Sequence, residues 1–184
     1  MMKKENRFIL ILKNKFFWLT ICIGLAIGLV VSLVTAVAVH ETADADFCSS
    51  CHSMQNMTRS YLLDVHGGNN EQGWQAKCSD CHIPHDNPVN YLIKKTQSGI
   101  VDMISETFKN TDNIDWESKR HQREEFVYDS GCLKCHNNLI VATMANPKAF
   151  IAHRDYDMKI VDKKCVSCHE RVGHLNLSEF LTKQ

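Results

Sequence analysis

Eight of the nine cysteines fall into four copies of one pentapeptide pattern, Cys-x-x-Cys-His. The copies are Cys48-Ser49-Ser50-Cys51-His52, Cys78-Ser79-Asp80-Cys81-His82, Cys132-Leu133-Lys134-Cys135-His136 and Cys165-Val166-Ser167-Cys168-His169. Two thiols at this spacing, with an imidazole directly after the second, are the attachment signature of a c-type haem. The thiols add to the haem vinyl groups and the histidine binds iron. Nine cysteines and ten histidines in 184 residues would produce roughly 0.02 such pentapeptides by chance. Four copies therefore mark four covalently bound c-type haems. Four Cys-x-x-Cys pairs could also build two four-cysteine zinc sites or act as redox dithiols. Neither chemistry calls for a histidine after the second cysteine every time.

Each motif histidine (His52, His82, His136, His169) is a proximal ligand candidate, and six histidines remain for other duties. The first motif continues Cys51-His52-Ser53-Met54, which brings a thioether close to the same iron. Methionine ligation raises a haem's potential relative to bis-histidine ligation. The other reading of Met54 is a side chain that packs on the ring.

Three segments must carry these motifs. Phe16 to Val39 is a 24-residue stretch without a charge, and about 20 apolar residues cross a bilayer core. Phe16, Phe17 and Trp18 suit the aromatic belt at its edge. A signal peptide has a shorter apolar run of about 7–15 residues, so the segment reads as a retained anchor. Its lone Cys22 reads as a small buried hydrophobe. Residues 1–15 hold five of the 21 bases and one of the 21 acids, which leaves sixteen bases and twenty acids beyond. The basic tail stays cytoplasmic by the positive-inside rule, and residues 40–184 are exported. An exported part with an acidic excess has no basic face for nucleic acid.

The expected fold is mainly α: a single N-terminal transmembrane helix, then a compact multihaem domain with short helices and little or no sheet. First cysteines at 48, 78, 132 and 165 suggest two dihaem units, about 46–110 and 111–184. Between them, Val89, Leu92, Ile93, Ile100, Met103, Ile104 and Phe108 fall at three- and four-residue steps, predicting an amphipathic helix over 89–108. Pro84 and Pro88 precede it. Ile114 to Tyr128 reads as a second helix, with Glu124 and Glu125 on a solvated face. Asn87, residues 110–113 and Asn137-Asn138 read as turns.

The chain resembles the NapC/NirT/NrfH family of membrane-anchored tetrahaem cytochromes c over nearly its whole length. The likeness rests on Phe47-Cys48-Ser49-Ser50-Cys51-His52-Ser53-Met54, on Asp80-Cys81-His82-Ile83-Pro84-His85, and on the closing Cys165 to His174 segment. Members oxidise quinol in the membrane and pass electrons to an exported reductase. The resemblance implies Met54 as a ligand of the first haem, in place of or competing with His52. It implies His66 and His174 as distal ligands, which suits a neutral imidazole from outside the motif. His153 and His85 are further candidates, while His121 and His40 read as surface residues. One haem is left room for a ligand from a partner.

On the predicted 89–108 helix, Lys95, Gly99, Asp102 and Glu106 share one face. Gly99 costs roughly 1 kcal/mol relative to alanine in a helix interior, which hints at the close approach of a ring. An ordinary salt-bridged polar face is one reading. The family places a lysine and an acid seven residues apart at its quinol site, which implies Lys95 as the holder of a quinone oxygen and Asp102 as the proton acceptor. With only eight residues (His40 to Phe47) between the anchor and the first motif, the first haem is expected at the membrane surface.

Three functions compete. The first is a quinol dehydrogenase subunit that takes menaquinol or ubiquinol and feeds a periplasmic multihaem or molybdenum reductase, of nitrite or nitrate above others. The second is an anchored electron relay without a quinol site. The third is a terminal reductase, which the lack of any Cys-x-x-Cys-Lys haem motif argues against. The resemblance also admits a homo-oligomer.

Overall fold

A computed structural model describes residues 14–111 and 114–181. The basic tail lies outside the described residues apart from Lys15, as do two positions of the 110–113 turn. The chain forms two compact units, one ending at Thr42 and one beginning at Ala43.

The first unit is helix α1 (Lys15–Glu41). Asn14 caps it by accepting the Phe16 N–H at 3.0 Å. At 1.5 Å per residue it is about 40 Å long, enough to cross a bilayer. Its surface is apolar all round, and no residue is buried by protein. Such a helix is stable in lipid because every backbone polar group is satisfied within it. Both threonine hydroxyls are satisfied too: Thr20 and Thr35 donate back to Phe17 and Val31 carbonyls at 2.8 and 2.9 Å. Cys22 corrects the sequence reading. It lies exposed on the surface of α1.

The second unit is built of short helices, as expected. They are α2 (Ala45–Cys48), α3 (Gln55–Leu62), α4 (Cys78–His82), α5 (Pro88–Phe108), α6 (Trp116–Lys119), α7 (Arg123–Phe126), α8 (Asp129–Cys135), α9 (Leu139–Thr143), α10 (Pro147–Asp157), α11 (Cys165–Cys168) and α12 (Leu177–Leu181). Turns of 3₁₀ helix cover His52–Met54 and Arg120–Gln122. Among the described residues, extended pairing amounts to one isolated bridge, Gly67 with Gln75.

Both longer helices start in the same way. At α5, Asn87 accepts the Asn90 N–H at 2.8 Å with Pro88 at the first helical position. At α10, Asn146 accepts the Lys148 and Ala149 N–H groups at 3.1 and 3.3 Å, followed by Pro147. An asparagine cap ahead of proline is a strong start signal. The predicted helix over 114–128 is instead broken into α6, a 3₁₀ turn and α7, with Val127 and Tyr128 extended. Tertiary bonds override its propensity. Arg123 Nε donates to the Val166 carbonyl at 2.8 Å, and the Tyr128 N–H donates to the Cys81 carbonyl at 3.0 Å. Glu124 is not merely solvated: it accepts from Ser167 Oγ at 2.6 Å and ties α7 to α11.

The protein core is small. Ala43, Tyr61, Ala76, Ile83, Val166 and Leu177 are its buried apolar residues among those described. Ser60, fully buried, donates to the Leu175 carbonyl at 2.8 Å and joins α3 to the segment before α12. Two glycines permit backbone contacts that no side chain would allow. A Cβ on Gly131 would sit on the Asp80 carbonyl, 3.0 Å from its carbon, so α8 can lie directly on α4. A Cβ on Gly67 would sit on the Tyr61 carbonyl, 3.0 Å from the Leu62 Cα.

Candidate haem sites and the residues around them

Three of the four motif histidines face a second histidine. The ring centroids of His82 and His174 are 6.2 Å apart, those of His66 and His136 are 6.2 Å apart, and those of His153 and His169 are 6.0 Å apart. An iron bonded on both faces to imidazole nitrogen at about 2.0 Å sets ring centres about 6 Å apart. The spacing and donor chemistry of all three pairs therefore fit a bis-histidine haem. Zinc finds no comparable set, because no three His, Cys, Asp or Glu side chains converge among the described residues.

Hydrogen bonds orient these rings. Nδ1 of His82 faces the Phe126 carbonyl at 2.9 Å, that of His153 the Ala149 carbonyl at 2.8 Å, and that of His174 the Met57 carbonyl at 3.1 Å. His66 Nδ1 faces Asp64 Oδ1 at 2.9 Å. An acceptor at Nδ1 holds its proton there and leaves Nε2 as the metal ligand. Protein packed around His82 disfavours its charged form, and burial with the neighbouring His82 pushes His174 down to about 4. Both are then neutral near pH 7, the form that binds iron. His85 is placed differently. Its Nε2 meets the Ser79 carbonyl at 3.1 Å and its ring lies 5.0 Å from Tyr91, so it braces α4 against α5.

His52 is in none of these pairs; it is exposed at the start of the 3₁₀ turn that also carries the half-buried Met54. Glu106 accepts from Ser53 Oγ at 2.8 Å and from the Ser53 N–H at 3.3 Å, which fastens the end of α5 to this turn. The carboxyl is held below its ordinary range first by the Ser53 hydroxyl. Helix α5 thus turns its polar face toward the first motif. Its expected apolar stripe faces outward, with Ile93 61%, Met103 68% and Phe108 81% exposed. That reverses the usual soluble arrangement, because Glu106 and its face are held inward by polar partners.

Lys95, half-buried, and Asp102, exposed, lie on the face nearer the first motif. Lys95, Asp102 and Asp44 lie close enough to Cys48 to act on it electrostatically. Asp102 also acts on Cys51 and His82. Although it is accessible to solvent, the protein around Asp102 withdraws enough water to hold its carboxyl above the ordinary range, with His82 partly offsetting this. Lys95 Nζ sits 5.9 Å from the Tyr91 ring centroid. Gly99 has no protein atom within 4 Å of a built Cβ, so protein packing does not require glycine there.

The attachment points form a continuous series. Cys48 lies beside Cys78, and Cys132 beside Cys165. Between these pairs, Cys81 lies near Cys132 and Cys135. Contact between α4 and α8 at Gly131 is reinforced by Lys134 Nζ on Asp80 Oδ1 at 2.8 Å. Sequence reasoning did not single out Asp64, Gly131 or Ser53. An Asp-x-His pattern and a glycine directly before a haem cysteine are the signals that mark the first two.

Residues 12–179 match the model of the NapC/NirT cytochrome c family, N-terminal region, and the chain belongs to that family. It is a family of membrane-anchored c-type cytochromes that carry electrons from quinol to reductases, and membership implies covalently bound haem. The tetraheme c-type cytochrome CymA of Shewanella oneidensis is 33% identical over 168 residues, covering 83% of this chain and 87% of that protein. The cytochrome c-type protein TorC of Escherichia coli is 31% identical over 169 residues, 84% of this chain but 41% of TorC. Among solved structures, one chain of the cytochrome c nitrite reductase NrfHA complex bound to the HQNO inhibitor superposes with a TM-score of 0.54 at 26% identity. The match covers 85% of this chain and 90% of that one.

Proposed function

We propose that this chain is a tetrahaem quinol dehydrogenase subunit, anchored by α1 with its haem domain on the periplasmic side, that supplies electrons to a periplasmic terminal reductase. The observation that carries the proposal is the set of three opposed histidine pairs, each joining one motif histidine to one outside the motifs. In this reading Cys78, Cys81, His82 and His174 hold the second haem. Cys132, Cys135, His136 and His66 hold the third, and Cys165, Cys168, His169 and His153 hold the fourth. Cys48 and Cys51 hold the first, with His52 or Met54 on its iron and Asp102 on its open side. Two dihaem halves, 46–110 and 111–184, then meet at the contact of α4 with α8.

When bound, c-type haem supplies one-electron redox chemistry in iron, cycling between the ferric and ferrous states. Quinol loses two electrons and two protons. Asp102, its carboxyl raised by desolvation, accepts a hydroxyl proton near the working pH. Lys95 stabilises the negative charge that develops on the oxygen. The neighbouring motif cysteines, from Cys48 to Cys165, support an electron path from the first motif to the fourth. Likeness to a chain of a nitrite reductase complex supports nitrite respiration and a multihaem reductase partner. A molybdenum reductase of nitrate stands beside it as the other partner class.

The test is stopped-flow mixing of detergent-purified oxidised protein with a reduced menaquinol analogue, followed at the haem α-band. Rapid reduction that is lost in Lys95→Ala and Asp102→Asn, with dithionite reduction intact, is the expected result. No reduction by quinol in the wild type would replace this reading with a relay that requires a protein donor.

A further inference from the structure

The acceptors that orient the paired histidines differ in charge. His82, His153 and His174 each face a neutral backbone carbonyl. His66 faces a carboxylate. Asp64 Oδ1 lies 2.9 Å from His66 Nδ1 and accepts the His66 backbone N–H, also at 2.9 Å. Asp64 is 7% exposed, so little water screens that charge. The loop holding the pair is tightly made: the Asp64 N–H donates to the Tyr61 carbonyl at 2.9 Å, and the Gly67 N–H donates to the Asp64 carbonyl at 2.9 Å. Gly67 packs against the Tyr61 backbone where no Cβ would fit. Both His66 and its acceptor are therefore held in one geometry.

We infer that Asp64 is a positioning and tuning residue for the third haem: through His66 it lowers that haem's potential below what a carbonyl acceptor would set. The inference rests on the reading that His66 and His136 share one iron. A carboxylate draws the Nδ1 proton more strongly than a carbonyl does, since ionised acceptors form hydrogen bonds roughly twice as strong. Electron density moves onto Nε2, the imidazole becomes a better donor, and the ferric state gains over the ferrous. Burial of Asp64, beside a half-buried His66, makes the effect larger than it would be in water.

The two accepted bonds also form an Asx turn, and a purely structural role for Asp64 would end there. Asp64→Asn separates the two roles, because an asparagine oxygen makes the same turn without the charge. The measurement is potentiometric titration of the full-length protein in detergent, with low-spin ferric EPR signals followed alongside. In Asp64→Asn, with four haems retained, one of the four transitions rises by on the order of tenfold in its ferric-to-ferrous balance, about 59 mV for one electron. One low-spin signal changes its g values and the others stay.

Four unmoved transitions in Asp64→Asn would overturn the inference. Equal shifts in two transitions would overturn the route through His66, because His169 of the fourth motif lines the same cleft as Asp64 and would feel a through-space charge. His66→Ala distinguishes the underlying reading: conversion of one haem from low to high spin supports shared ligation, and four unchanged haems would refute it. Should Asp64→Asn lose the third haem, the wild type still decides. One low-spin signal with g values compressed relative to the others supports a carboxylate-polarised imidazole, and equivalent signals refute it.

Discussion

Gly131→Ala tests whether the second and third haem motifs are held together by backbone contact. Gly131 lies in the first turn of α8, where alanine would ordinarily gain about 1 kcal/mol of helix stability. Here the new methyl would sit on the Asp80 carbonyl, 3.0 Å from its carbon, where an unstrained contact needs about 3.5 Å or more. Helix α8 must therefore retreat by on the order of 1 Å, at an overpacking cost of about 1–3 kcal/mol. The retreat strains the bond from the Tyr128 N–H to the Cys81 carbonyl, now 3.0 Å, which adds about 1 kcal/mol. Set against the propensity gain, the net loss is about 1–3 kcal/mol, and at about 2–4 °C per kcal/mol for a chain of this size, Tm falls by about 2–12 °C. Calorimetry on the four-haem protein measures it, with matched haem content by pyridine haemochrome as control. A Tm equal to or above the wild type would refute the contact, since propensity alone predicts a rise. Transient absorption should also show slower electron passage across the middle of the haem series.

The remaining predictions concern the sites. Quinol-driven haem reduction should slow as pH falls, because Asp102 must be deprotonated to accept a proton; with its carboxyl raised by desolvation, the acid limb lies above the ordinary carboxylate range. His153→Ala should leave four haems attached and turn one from low to high spin in EPR, whereas His85→Ala should leave every spin state unchanged and lower Tm instead, since His85 Nε2 is bonded to the Ser79 carbonyl. Burial raises Asp80, but Lys134 and the Lys77 N–H outweigh it and its carboxyl titrates below the ordinary range. The pair therefore adds stability above the unfolded carboxylate pKa, and this is lost as pH falls through the folded one. Lys134→Met should cost about 1 kcal/mol at pH 7 and progressively less in acid, by thermal melts across that window.

Local pattern carried much of this architecture. The haem motifs need nothing beyond five consecutive residues, because thioether attachment and proximal ligation are set by covalent spacing. Helix α1 was legible because lipid selects on composition and length alone, and its observed bounds differ from 16–39 by one residue at the start and two at the end. Helix α5 announced itself by its stripe and its proline. What the stripe could not tell was which way it faces. Period and polarity are properties of the helix, but Glu106 on Ser53 and the closeness of Lys95 and Asp102 to Cys48 depend on a segment some fifty residues earlier.

Pairing of the histidines was beyond local reading for the same reason. Nothing near His153 distinguishes it from His85, yet the fold turns one toward His169 and the other into a carbonyl. The broken stretch from 114 to 128 yielded its helical propensity to long-range bonds from Arg123 and Tyr128. The sequence by itself determined the long apolar helix, the four Cys-x-x-Cys-His motifs and the helical class, since these follow from spacing and composition along the chain. Only the tertiary structure decided which histidine meets which, that Asp64 rather than a carbonyl holds His66, and that Gly131 brings the two middle motifs together. Those depend on free-energy differences between side chains far apart in sequence, which no short window contains.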